Sequence, residues 1–137
     1  RQGVLNGKLT WYEQKENFLA YYTVYLEKLD TYGFDKLGVG NTSYPSVNAN
    51  CWFLFLRIED KALLNRAANW MEKLIAIHPD PAWIDTYANL LYKSGDKERA
   101  ISWEEKALAI VIEKQWQSDI DQFSQTLSKM RRNETTW

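Results

Sequence analysis

Apolar residues recur along this chain with a helical period and are interrupted by short polar punctuation. Phe18, Tyr22, Tyr25, Leu29 and Tyr32 step by four and three residues and so share one face, which Leu19 and Leu26 widen. The pattern runs from Leu9 to Tyr32 and predicts an N-terminal helix within 8–33. Thr10 and Glu13 have capping-box spacing at its start, and Gly33 is a stop at its end. Gly33 to Val47 reads as a loop, rich in Gly, Asn and Ser. Gly38-Val39-Gly40 within it lacks a preceding strand and the remaining glycines of a phosphate loop, so it reads as a connector.

Asn48 to Glu59 predicts a short helix that is apolar nearly all round and therefore buried on several sides. Asp60 caps a helix from Lys61 to Ile77 with an inner stripe of Leu63, Ala67, Trp70, Leu74 and Ile77. Pro79-Asp80-Pro81 ends it and starts the next, with Asp80 as cap and Pro81 at the first helical position. That helix presents Ile84, Tyr87, Ala88, Leu91 and Tyr92, and stops at Ser94-Gly95. Asp96 caps a helix from Lys97 to about Lys114. Ser118 and Asp121 resemble another capping box, opening a last helix over 118–132 with the stripe Ile120, Phe123, Leu127 and Met130. Arg131 and Arg132 suit its C-terminal dipole. The tail Asn133–Trp137 is expected to fray unless Trp137 docks.

Two of these segments are versions of one another. RAANWMEKLIAI (Arg66–Ile77) returns as RAISWEEKALAI (Arg99–Ile110), at a constant offset and without a gap. Arg66/Arg99, Ala67/Ala100, Trp70/Trp103, Glu72/Glu105, Lys73/Lys106, Ala76/Ala109 and Ile77/Ile110 are identical. A period of this length is the signature of stacked supersecondary units, none of which buries its apolar face alone. The expected architecture is all-α, a stack of antiparallel helix hairpins with about six helices. A degenerate repeat covers 48–78 and a clearer one 80–114. In this reading Ala67 and Ala100 allow close helix approach, Trp70 and Trp103 fill equivalent gaps, and Glu72-Lys73 and Glu105-Lys106 lie on solvated faces.

Composition narrows the function classes. The chain has 137 residues with a formal net charge of −1, which supplies no electrostatic footprint for nucleic acid. No apolar run approaches a membrane span. The first residue is Arg, and Arg1 to Gly7 reads as a linker, so the chain is expected to be a fragment of a longer protein. Cys51 is the single cysteine, so neither an internal disulfide nor a thiolate metal cluster can form. It sits beside Trp52 without a basic neighbour and reads as a small buried residue. His78 reads as a surface residue at a helix end. Glu104-Glu105, Asp119 and Asp121 read as solvated faces and caps. No catalytic, metal or cofactor constellation is found.

Residues Asp80 to Ile110 resemble a tetratricopeptide repeat, with Ala88, Gly95, Ala100 and Ala107 at the small positions and Tyr87 and Leu91 as large partners. Ile84, Trp103 and Ile112 depart from that pattern, as do Ala62 and Lys73 in the preceding unit. A narrower resemblance rests on DTYANLLYKSG (Asp85–Gly95), RAISWEEKALAI, NANCW (Asn48–Trp52) and KMRRNETTW (Lys129–Trp137). Together these are similar to the helical C-terminal region of bacterial envelope thioredoxin-like (thiol:disulfide interchange) proteins, over roughly Asn48 to Trp137. The Cys-x-x-Cys of that family is absent.

The resemblance implies a non-catalytic interaction or scaffolding module beside a thioredoxin-like domain, in the periplasm or envelope, without a cofactor. Its partner would be a protein or peptide, the attached domain included. The tetratricopeptide resemblance places Asp85, Asn89, Tyr92 and Lys93 in a peptide groove, with Asp85 standing where a carboxylate clamp needs a cation. Tyr12, Tyr21 and Tyr25 are candidates for a domain-docking face, since Tyr combines an apolar body with a polar tip. The alternatives are a small-molecule or peptide binder with an aromatic pocket around Trp52, Trp83, Tyr87 and Trp116, or an inert spacer.

Overall fold

A computed structural model describes residues 16–38 and 40–137. Among them are six helices and no strand: α1 (Glu16–Tyr32), α2 (Tyr44–Arg57), α3 (Lys61–Ile77), α4 (Pro81–Ser94), α5 (Lys97–Lys114) and α6 (Gln117–Arg131). The expected capping box of Thr10 and Glu13, and Tyr12, lie outside the described residues.

The helix ends are written in local chemistry. Asp60 accepts a hydrogen bond from the Leu63 amide, Asp80 from the Ala82 amide, and Asp96 from the Arg99 amide, each satisfying an orphan donor of the following helix. Pro81 occupies the first turn of α4. Gly95 ends α4 at φ 108, with the Asp96 amide bonded back to the Leu91 carbonyl in a Schellman turn. Gln115 ends α5 in the same way at φ 60, with the Trp116 amide on Val111. Asn133 ends α6 at φ 59, with the Glu134 amide on Lys129.

Three expectations need correction. Helix α2 starts at Tyr44, earlier than 48, because Pro45 sits in its first turn, where its missing N–H and fixed φ cost nothing. Ser118 caps nothing: the Schellman turn at Gln115 feeds directly into α6, whose N-cap is Trp116, and Asp121 instead accepts from the Gln117 side chain at 2.8 Å. Tyr32 and Ile77, counted in the inner stripes, are exposed at the last turns of their helices, and Leu19, expected to widen the stripe of α1, is exposed as well.

Consecutive helices pack as antiparallel hairpins, and α4 lies at the centre, against α2, α3 and α5. Helix α1 packs on α2 and α3, and α6 closes the other side on α5. The core runs from Tyr22, Leu26 and Leu29 through Leu54, Phe55, Leu64, Met71, Leu74 and Leu90 to Val111, Phe123 and Met130. Ala67 and Ala100 are both fully buried. Trp70 and Trp103 are half-buried and make matching contacts. Lys73 lies over the Trp70 ring at 4.1 Å and Lys106 over Trp103 at 4.0 Å, and each indole meets another ring edge-on, Phe34 and Tyr87 respectively. The indole N–H of Trp70 reaches Asp30 at 2.9 Å. That bond, and then the one from Arg66, holds the Asp30 carboxyl below its ordinary pKa.

Candidate functional site

The four residues expected to line a peptide groove share α4 but do not share an environment. Asp85, Asn89 and Lys93 are buried, and Tyr92 is half-buried. Asp85 faces Glu104 of α5, which is fully buried and not on a solvated face as expected. Two carboxylates cannot donate to one another, and both Glu104 oxygens then lack a donor. One proton shared between them removes that conflict. Burial first, then the neighbouring Asp85, pushes the Glu104 carboxyl far above the usual carboxylate range. Asp85 is raised by burial too, with Asp119 of α6 adding to the rise, while the bonds to Glu104 and Asn89 oppose it. Asn89 donates to the Asp85 side chain at 3.1 Å and to its carbonyl at 2.8 Å, and its own side-chain oxygen stays unmet. The aligned repeat held the signal for Glu104: its equivalent in the preceding unit is Met71, which is in the core.

Lys93 does different work. Its ammonium donates to the Phe55 carbonyl at 2.6 Å, an orphan acceptor in the last turn of α2, and pairs with Glu59 at 2.9 Å. A basic group at a helix C-terminus is also favoured by the helix dipole. The Lys93 side chain is only 2 % exposed because the C-terminal tail folds over it. The Trp137 ring stands 4.9 Å from the Lys93 ammonium and edge-on to Phe55 and Tyr92 at 5.8 and 6.3 Å. The Tyr92 hydroxyl donates to the Glu134 carbonyl at 2.7 Å, and Lys97 donates to the Asn133 side chain at 2.6 Å. The tail therefore docks, the outcome that expectation left conditional.

A second surface lies between α1 and α2. A cleft of about 310 Å³ is lined by Phe18, Tyr21, Tyr22, Asn50, Phe53 and Arg57. The Arg57 guanidinium stands over two rings, Phe18 at 4.6 Å and Phe53 at 5.0 Å, and donates to the Tyr22 hydroxyl at 3.0 Å. Of the tyrosines expected on a docking face, Tyr21 is exposed here. Tyr25 is buried, and its hydroxyl fastens the following loop by donating to the Asn41 carbonyl at 2.6 Å.

The two ends of the stack differ in character. The outer surface of α1 exposes Leu19, Tyr21 and Val24, the last at 64 %, and Phe53 and Leu56 of α2 are also exposed. On α6 every exposed residue is polar, from Gln117, Ser118, Asp121 and Gln122 to Ser124, Gln125, Lys129 and Arg131, while Phe123, Leu127 and Met130 point inward.

The aromatic residues proposed for a single pocket do not come together. Trp83 and Trp116 share a shallow cleft of about 340 Å³ with His78, Ile110 and Lys114. Trp52 packs on Phe55, and Tyr87 is buried, donating to Glu72 and accepting from Arg99. His78 is exposed beside Tyr44 and Trp83. Cys51 is fully buried under Ala67, and burial pushes its thiol up to about 12, away from thiolate chemistry. Among the described residues no group of three or more His, Cys, Asp or Glu could hold a metal, and no helix is long and apolar enough to cross a membrane. No protein family, characterised protein or solved structure matches the chain, so its geometry is what bears on function.

Proposed function

We propose that this chain is a non-catalytic protein-interaction module, tetratricopeptide-like in plan, that docks a companion domain through its α1 end. The observation that carries the reading is the difference between the two ends. Helix α6 presents a polar outer surface beyond its N-cap Trp116, whereas α1 and α2 keep Leu19, Tyr21, Val24, Phe53 and Leu56 exposed, with Tyr21 and Phe53 lining an aromatic cleft. Contiguous exposed apolar residues rimmed by polar ones mark interaction sites. Arg57, spread over Phe18 and Phe53, offers N–H donors to an acidic residue at the centre of that surface. The sequence resemblance supplies the partner's type, a thioredoxin-like domain, and an envelope location.

Amide hydrogen exchange along Leu19–Val24 and Asn50–Arg57 tests the reading, compared between this chain alone and the full gene product. Protection of these segments only in the longer protein is the expected result. Equal exchange in both, or an open reading frame without a thioredoxin-like domain, overturns it.

A further inference from the structure

The docked tail shows what kind of ligand the surface beside α4 takes. We infer that Phe55, Tyr92, Lys93 and Lys97 form a binding site for an extended peptide bearing a tryptophan, which this chain's own Asn133–Trp137 occupies and a second polypeptide can enter by displacing it. This rests on the seated tail, not on the α1 end, so either proposal can fail without the other.

The site reads two features. The main chain is held through a carbonyl, by the Tyr92 hydroxyl on Glu134 at 2.7 Å. The side chain is held by a box made of one cation and two rings, Lys93 with Phe55 and Tyr92, into which the indole fits edge-on. Lys93 cannot swing away, because the Phe55 carbonyl and Glu59 fix its ammonium. The cation of the box is thus positioned by contacts that do not involve the ligand, which lowers the ordering cost of binding.

Two observations mark the tail as an exchangeable occupant. Trp137 stays 42 % exposed at the rim. The Thr136 hydroxyl is buried with no hydrogen-bond partner, a fit that a ligand with an apolar residue at that place improves. The tail nevertheless competes strongly, since a tethered segment acts at an effective concentration on the order of millimolar.

The test uses the full chain carrying Trp137→Ala, titrated with a capped hexapeptide of residues 132–137 and followed by amide NMR shifts at Phe55, Tyr92, Lys93 and Lys97. The peptide should bind this variant at least tenfold more tightly than the unaltered chain. A peptide with Trp137→Ala should not bind, and one with Thr136→Val should bind several-fold more tightly than the parent peptide. A folded Trp137→Ala chain that shows no shifts at millimolar peptide, or that takes the Ala peptide equally well, overturns the inference. If Trp137→Ala unfolds the chain, the unaltered chain is titrated with the Thr136→Val peptide. Movement of the Trp137 indole N–H resonance toward its solvent-exposed position then supports displacement, and an unmoved resonance at millimolar peptide overturns it.

Discussion

Trp52 and Met71 in the first unit, α2 with α3, stand where Asp85 and Glu104 stand in the second, α4 with α5, at the same offset that relates Arg66 to Arg99. Leu56 likewise stands where Asn89 does. The more apolar helix of the two, α2, leaves Phe53 and Leu56 in solvent. The more polar one, α4, packs on α3 and α5 far more extensively than α2 packs on any neighbour, and buries Asp85, Thr86, Asn89 and Lys93. Burial in these two helices therefore follows how extensively neighbouring helices cover them and not the apolarity of the segment. Buried polar groups are tolerated where each finds a partner: Lys93 on a helix-end carbonyl, Asp85 on Asn89 and on a shared proton. Excess apolar surface on the less extensively covered helix stays exposed.

The comparison can be broken most forcefully at the small residues common to both units. Ala67→Trp and Ala100→Trp put an indole where no side-chain volume is free, and each should destabilise by more than about 3 kcal/mol in chemical denaturation. A parent-like melting curve for either would mean that the helices do not approach at that residue.

Glu104→Gln addresses the polar pair. An acid whose folded pKa is raised must take up a proton on folding, so its contribution is most favourable below the ordinary carboxylate pKa and is lost as pH rises toward the folded value. The parent should therefore lose stability from about pH 4 upward through neutrality. Glu104→Gln, which donates an amide hydrogen without needing a proton, should flatten that slope and stabilise by about 2–3 kcal/mol at pH 7. Urea unfolding at several pH values measures both. An unchanged slope would place the raised carboxyl elsewhere.

Gln115 and Gly95 contrast the ends of the two helices in the second unit. Both are left-handed, but Gln115 carries a Cβ into that conformation. Gln115→Gly should raise stability by about 1 kcal/mol, read from the denaturation midpoint. The smallest effect is expected of Leu56→Asn, which writes the residue type of Asn89 into the first unit. Because Leu56 is exposed, the loss should stay below about 1 kcal/mol. A larger loss would mean that Leu56 is covered and that α2 is not the exposed surface described above.

The readable part of the fold was the part made of short-range bonds. Asp60, Asp80, Gly95 and Asp96 were identifiable as caps because each bonds a backbone group of its own helix, a few residues away. Ser118 misled for a related reason: a residue type that caps also suits other places at a helix end, and the preceding turn decides which. The candidate site was harder to read. Tyr92 and Lys93 were singled out together, but the segment that covers them, Asn133–Trp137, lies two helices further along the chain. Glu104 was misjudged because its sequence neighbours are charged, although its repeat equivalent, Met71, pointed inward.

By itself, then, the amino-acid order determined six helices, most of their ends and the constant offset between two related hairpins, since those depend on period and on bonds within a turn. Only the tertiary structure decided that α4 is central, that Asp85 and Glu104 meet, that Lys93 closes α2 under Trp137, and that α1 keeps an apolar face. Each of those outcomes depends on which helices surround a residue, and that is set by contacts between segments far apart along the chain.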